Sequence, residues 1–112
     1  SKSVAPEQVP GGGIPQTLLS PIRRALIDCD EFYNPRQLRS VFENRKLKPW
    51  QDGLPFTDNA REQVDITVSY LTDKRRVDGE NVLAVFLRTL CERYDPADER
   101  HSRLAALADQ IK

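Results

Sequence analysis

Leu83-Ala84-Val85-Phe86-Leu87-Arg88-Thr89-Leu90-Cys91-Glu92-Arg93-Tyr94 decides how the rest of the chain is read. Leu83, Phe86, Leu87, Leu90 and Tyr94 fall at i, i+3, i+4, i+7 and i+11, one face of a helix. Behind Asp95-Pro96 the same spacing returns in Leu104, Leu107, Ala108 and Ile111. Two amphipathic helices joined by a proline turn cannot bury their stripes alone. They call for further helices packed against them.

Working back toward the N-terminus, prolines punctuate segments of helical period. Proline is tolerated in a helix's first turn and breaks its interior. The first helix has two candidate starts, Pro15 and Pro21 with Ser20 as cap. Its face is Leu18, Ile22, Ala25, Leu26 and Cys29. The second opens at Asn34-Pro35-Arg36-Gln37, a cap, an N1 proline and a capping-box glutamine. It buries Leu38, Val41 and Phe42 and ends near Arg45. A short third helix is expected near Trp50 to Leu54. The fourth opens at Thr57 or Asp58, carries Ala60, Val64, Val68 and Leu71, and closes with Lys74-Arg75-Arg76 at the negative end of its dipole. Gln63 to Tyr70 alternates polar and β-branched residues and is compatible with a strand. The helical stripe running on to Leu71 and the lack of a partner strand favour a helix. The expectation is an all-α, six-helix antiparallel bundle with a core of Leu26, Phe42, Val68, Leu71, Leu83, Phe86, Leu87 and Leu107.

The length of 112 residues suits one domain able to bury about two thirds of the surface its unfolded chain exposes. Residues 1–13 hold three of the five glycines in Gly11-Gly12-Gly13, plus Pro6 and Pro10, and read as a flexible linker or an appended tail. The helical domain is then residues 14–112. Without methionine and starting Ser1-Lys2-Ser3, the chain reads as a module of a larger protein. No apolar run reaches the roughly 20 residues of a membrane span, and no apolar core follows a basic start as in a secretory signal.

Catalytic chemistry finds little material. The single histidine, His101, lies ten residues after Cys91, and nothing in between supplies an orienting third group or an oxyanion hole. One histidine and two distant cysteines fall short of a zinc site. No glycine-rich loop cradles a phosphate, and no cofactor is implied. Cys29 and Cys91 sit in apolar helical segments and read as buried, reduced thiols of a cytoplasmic protein.

Charge is more informative. Seventeen cations balance seventeen anions, which argues against a dedicated nucleic-acid binder. Yet the signs are segregated. Arg36, Arg39, Arg45, Lys46 and Lys48 face one anion, Glu43, and Asp28, Asp30 and Glu31 precede them. Such blocks suit a head-to-tail binding surface or a solvated face with internal ion pairs. A third reading is nucleic-acid binding by the basic segment Arg36–Lys48, with Trp50 to stack on bases.

With the helices placed, the sequence resembles the bacterial effector-associated domains, helical modules of the death-like kind, over residues 17–111. The resemblance is carried by Ile22-Arg23-Arg24-Ala25-Leu26-Ile27-Asp28-Cys29, by Asn34 to Phe42, by Val64 to Leu71, by Leu83 to Tyr94 with Asp95-Pro96, and by Leu104-Ala105-Ala106-Leu107-Ala108. It implies a death-fold-like bundle serving as a non-catalytic adaptor. The implied partners are other death-like domains, fused to or encoded beside caspase-like or trypsin-like peptidases or nucleotide-hydrolysing switch proteins in bacterial defence. On this reading the basic patch (Arg36, Arg39, Arg45, Lys46, Lys48) meets an acidic surface of a like domain, and Asp28, Asp30 and Glu31 are the reciprocal patch. A plain structural domain of a larger enzyme is the other reading.

Overall fold

A computed structural model describes Ile14 and residues 16–111; the expected linker 1–13, Pro15 and Lys112 lie outside the described residues. Among the described residues five α-helices carry the fold: α1 (Gln16–Ile27), α2 (Pro35–Val41), α3 (Ala60–Leu71), α4 (Val82–Cys91) and α5 (Glu99–Gln110). Two 3-10 turns, Asp30–Tyr33 and Lys48–Trp50, lie in the first two connections. Among the described residues the only β pairing is one isolated antiparallel bridge, Arg75 with Asn81. The Gln63–Tyr70 segment is helical, inside α3.

The count of five differs from the expected six for a local reason. The short third helix becomes the 3-10 turn Lys48–Trp50, because Pro49 donates no main-chain hydrogen bond and Pro55 lies too close for a longer helix. α2 ends at Val41, four residues before Arg45. Its last turn tightens, with Phe42 N donating to Arg39 O at 3.0 Å and Glu43 N to Ser40 O at 3.2 Å. α3 stops at Leu71, before the cations expected to close it. Lys74 and Arg76 instead pair with Val82 and Glu80 through main-chain bonds of 3.0 and 2.9 Å. Gly79, at φ 91°, makes the turn that closes this hairpin.

The caps follow the residue types. Asn34, Asn59, Asn81 and Asp98 each accept main-chain N–H bonds from the first turn of their helix. α1 runs from Gln16 through Pro21, so both expected starts fall within or beside one helix.

α4 is buried along nearly its whole circumference, with Val82 to Leu87, Leu90 and Cys91 covered, as expected of a central helix. It packs chiefly against α5. Cys91 meets His101 at one end and Arg88 meets Asp109 toward the other, so α4 and α5 are antiparallel. Phe86 lies between Phe42, 5.3 Å centroid to centroid, and Phe32, 6.1 Å and edge-on. All eight expected core residues are buried. Tyr70 of α3 donates its hydroxyl to Trp50 O at 3.3 Å and passes so close to Gly53 that a Cβ there would collide with it.

Candidate functional site

The acidic segment after α1 is zipped to the corner where α4 meets α5. Asp28 Oδ2 accepts from Arg103 Nη1 at 2.8 Å. Asp30 lies 3.7 Å from Arg100 Nη1, which also donates to Asp28 O at 3.2 Å. Glu31 is 5% exposed. It accepts from the Tyr94 hydroxyl at 2.6 Å and from Arg93 Nε at 2.9 Å. Tyr94 in turn accepts from Asp30 N at 3.1 Å, and the Arg100 guanidinium lies over its ring at 4.3 Å. Burial is the first cause that pushes the Tyr94 hydroxyl pKa well up, and its bond to Glu31 adds to it. The expected acidic surface patch is therefore corrected in one member: Glu31 faces inward and offers no carboxylate to a partner. Asp28 and Asp30 stay exposed but already face arginines of α5.

The basic residues behave differently. With Leu38 and Val41 turned to the core, α2 leaves Arg36 and Arg39 exposed one turn apart. Arg39 is exposed and places its Cζ over the Phe56 ring, 4.8 Å from the centroid, a cation–π contact. It borders a groove of about 310 Å³ with Gln51, Asp52, Leu54 and Phe56. Arg45 and Lys46 lie in the following loop and line a second cleft, about 430 Å³, together with Glu80, Val85, Arg88 and Glu92. Lys46 comes within 3.9 Å of Glu80. Lys48 opens the 3-10 turn beyond it and is exposed. The five cations thus occupy two adjoining stretches of surface, not one groove. Among the described residues, no carboxylate lies within 4.0 Å of Arg36, Arg39, Arg45 or Lys48.

The residues weighed for catalysis and for nucleic acid point elsewhere. Cys91 Sγ donates to His101 O at 3.3 Å. His101 Nδ1 sits 2.9 Å from Cys91 O and 3.1 Å from Tyr94 O, so this nitrogen carries the proton and caps the end of α4. The ring faces carbonyls, not sulfur. Burial raises the Cys91 thiol and pushes Cys29 up to about 12, the reverse of an activated nucleophile. Trp50, the aromatic that base stacking requires, packs partly buried against the core. Among the described residues no cluster of His, Cys, Asp and Glu could hold a metal ion, and no helix is long and apolar enough to cross a membrane.

The arginines and tyrosine that neutralise the acidic segment sit 62 or more residues away in sequence. No local signal announced them.

An all-helical bundle whose chemistry is confined to charged surface is the build of an interaction domain. The family model of Bacterial Death-like domain 1 matches residues 12–112, and the chain belongs to that family. Death-like domains are in general interaction modules. No curated protein and no solved structure matches the chain.

Proposed function

We propose that this domain is a non-catalytic adaptor that recruits an effector by contact with another death-like domain. The effector on this reading is a peptidase or a nucleotide-hydrolysing switch protein of a bacterial defence system, met in the cytoplasm. One observation carries the proposal: the acidic and the basic segment differ in their internal ion pairs. Asp28, Asp30 and Glu31 all face arginines within the chain, whereas Arg36, Arg39, Arg45 and Lys48 are exposed and face no carboxylate within 4.0 Å. Here the basic surface is left open, and an acidic surface on a partner complements it. Unpaired thiols at Cys29 and Cys91 support a reducing compartment.

Exposed charge pairs are each worth about 1 kcal/mol or less. A single contact is therefore weak and salt-sensitive, and several contacts in an assembly supply the strength. The test is the double reversal Arg39→Glu with Arg45→Glu, assayed for capture of a like domain. Capture should fall about tenfold while the circular dichroism spectrum is unchanged. Undiminished capture by a folded double variant would return these arginines to the role of solvated surface.

A further inference from the structure

A second charged surface lies away from α2, and it is basic around an apolar floor. Between α1 and α3 runs a groove of about 210 Å³ lined by Arg23, Arg24, Ile27, Arg61, Val64 and Asp65. That is room for about seven waters, at ~30 Å³ each, or for one branched apolar side chain with a carboxylate beside it. Ile27 and Val64 make the floor. Three arginines face one carboxylate. Arg23 Nε lies 3.1 Å from Asp65 Oδ1 but makes no aligned hydrogen bond, and no carboxylate lies within 4.0 Å of Arg24 or Arg61 among the described residues.

At the far end of α3 stands a feature of matching chemistry. The hairpin from Lys74 to Val82 carries Val77 at its tip, 105% exposed. The tip is held in shape from all sides. Arg76 N donates to Glu80 O and Gly79 N to Arg76 O, both at 2.9 Å. Arg75 Nη1 donates to Gly79 O at 2.7 Å, Glu80 N to Asp78 Oδ1 at 3.0 Å, and Arg76 Nη1 to Lys46 O at 2.8 Å. A turn this firmly tied pays little entropy to present its side chain. Beside Val77, Asp78 lies 3.6 Å from Arg76 Nε of the same hairpin and keeps 55% of its side chain exposed, so one face of the carboxylate is held and the other is open. Its pKa lies below the ordinary value, first because Glu80 N donates to it, so it carries its charge at neutral pH.

We propose that the Val77–Asp78 tip of one chain docks in the α1–α3 groove of a second copy, Val77 on Ile27 and Val64, Asp78 toward Arg24 and Arg61. The occupant is chosen by complementarity: an apolar knob with an adjacent carboxylate meets an apolar floor on whose rim Arg24 and Arg61 face no carboxylate within 4.0 Å among the described residues. The proposal rests on the adaptor reading and adds to it a second contact surface, distinct from α2. Knob and groove are at opposite ends of α3, whose 12 residues span about 18 Å. Every copy therefore keeps one free knob and one free groove. Such heterologous contacts extend from copy to copy instead of stopping at a dimer. The area is small, so a single contact has a Kd on the order of 1 mM.

Two variants of the whole chain separate the surfaces. Val77→Arg spoils the knob and leaves the groove. Arg24→Glu with Arg61→Glu spoils the groove and leaves the knob. All three positions are exposed, and circular dichroism checks that both variants fold. Concentration-dependent self-association, read by sedimentation velocity, should weaken roughly tenfold in each variant alone. Mixed in equal amounts, the two should form a dimer that does not grow. Isotope-labelled Val77→Arg chain in that mixture should show saturable amide shifts centred on Arg24, Ile27, Arg61 and Val64. Self-association that persists in both variants overturns the knob-and-groove contact while leaving the adaptor reading intact, because copies then meet elsewhere. A mixture without groove-centred shifts overturns it equally. The adaptor reading fails on its own test, the capture assay with the α2 double reversal.

Discussion

Replacing Glu31 by alanine should destabilise the chain by about 2–3 kcal/mol. A surface carboxylate would cost a few tenths. The figure is built from two hydrogen bonds. The Tyr94 hydroxyl donates to Glu31 at 2.6 Å in a site where the Glu31 side chain is 7% exposed. A hydrogen bond to a charged, covered group is worth about 1.5–3 kcal/mol, and its loss leaves the hydroxyl proton unpaired. Arg93 Nε donates at 2.9 Å, but the arginine side chain is 36% exposed. Water replaces that partner, so its share is discounted to about 1 kcal/mol or less. Against a total stability of about 5–15 kcal/mol, the loss is large. It should lower Tm by about 8–12 °C for a chain of this size. Glu31→Gln keeps an acceptor for Tyr94 and gives up the charge, so about half the loss is expected. The assay is urea unfolding followed by far-ultraviolet circular dichroism, with the slope unchanged so that the shift in midpoint reports stability alone. A double-mutant cycle with Tyr94→Phe isolates the pair and should give a coupling of about 1–2 kcal/mol. A Glu31→Ala loss under about 0.5 kcal/mol, or a coupling near zero, would refute the buried clamp and return Glu31 to the surface patch.

Three further outcomes follow from the same geometry. Phe86→Ala should cost roughly 3–5 kcal/mol, because its ring is fully covered and packs between Phe42 and Phe32; a denaturation midpoint that barely moves would misplace the α4 stripe. Thiol titration should find neither Cys29 nor Cys91 reactive in the folded chain at neutral pH and both free after denaturation, since both are buried and burial raises both thiols; no free thiol after denaturation would mean a disulfide. Stability should fall on the acid side: Asp98, first through its bond from Arg100, and Asp78, first through Glu80 N, are both held below the ordinary value. Their contribution is complete above about pH 5, where the unfolded carboxylates are ionised, and is lost as pH falls through the folded values. Thermal melts between about pH 2 and 6 should show this limb, and Asp78→Asn with Asp98→Asn should flatten it.

The sequence by itself determined the all-helical class, five of the expected helices and the core. Apolar spacing depends on neighbours three and four residues apart, so Leu83, Phe86, Leu87 and Leu107 were legible as core without a structure. Asn34 was legible at a helix start because a cap bonds its own first turn, whereas the last helix begins at Glu99 with Asp98 as cap, three residues past the expected Asp95-Pro96 opening. Arg39 could be assigned outward because Leu38, Val41 and Phe42 fix the inner face of α2. Ends were less legible. α2 gives way to tight turns, with Glu43 N bonded to Ser40 O and Asn44 N to Val41 O, and α3 is followed by the hairpin that pairs Lys74 and Arg76 with Val82 and Glu80. What only the tertiary structure decided is which charges are spent. Asp28, Asp30 and Glu31 look like an open acidic patch in one dimension. The fold brings Arg93, Tyr94, Arg100 and Arg103 against them from the α4–α5 corner. The groove between α1 and α3 arises the same way, from arginines that are unremarkable on their separate helices. Helical periodicity is a local property written in every few residues. The pairing of a charge is set by whatever the packed helices bring within about 4 Å, and that distance exists only after the chain has folded.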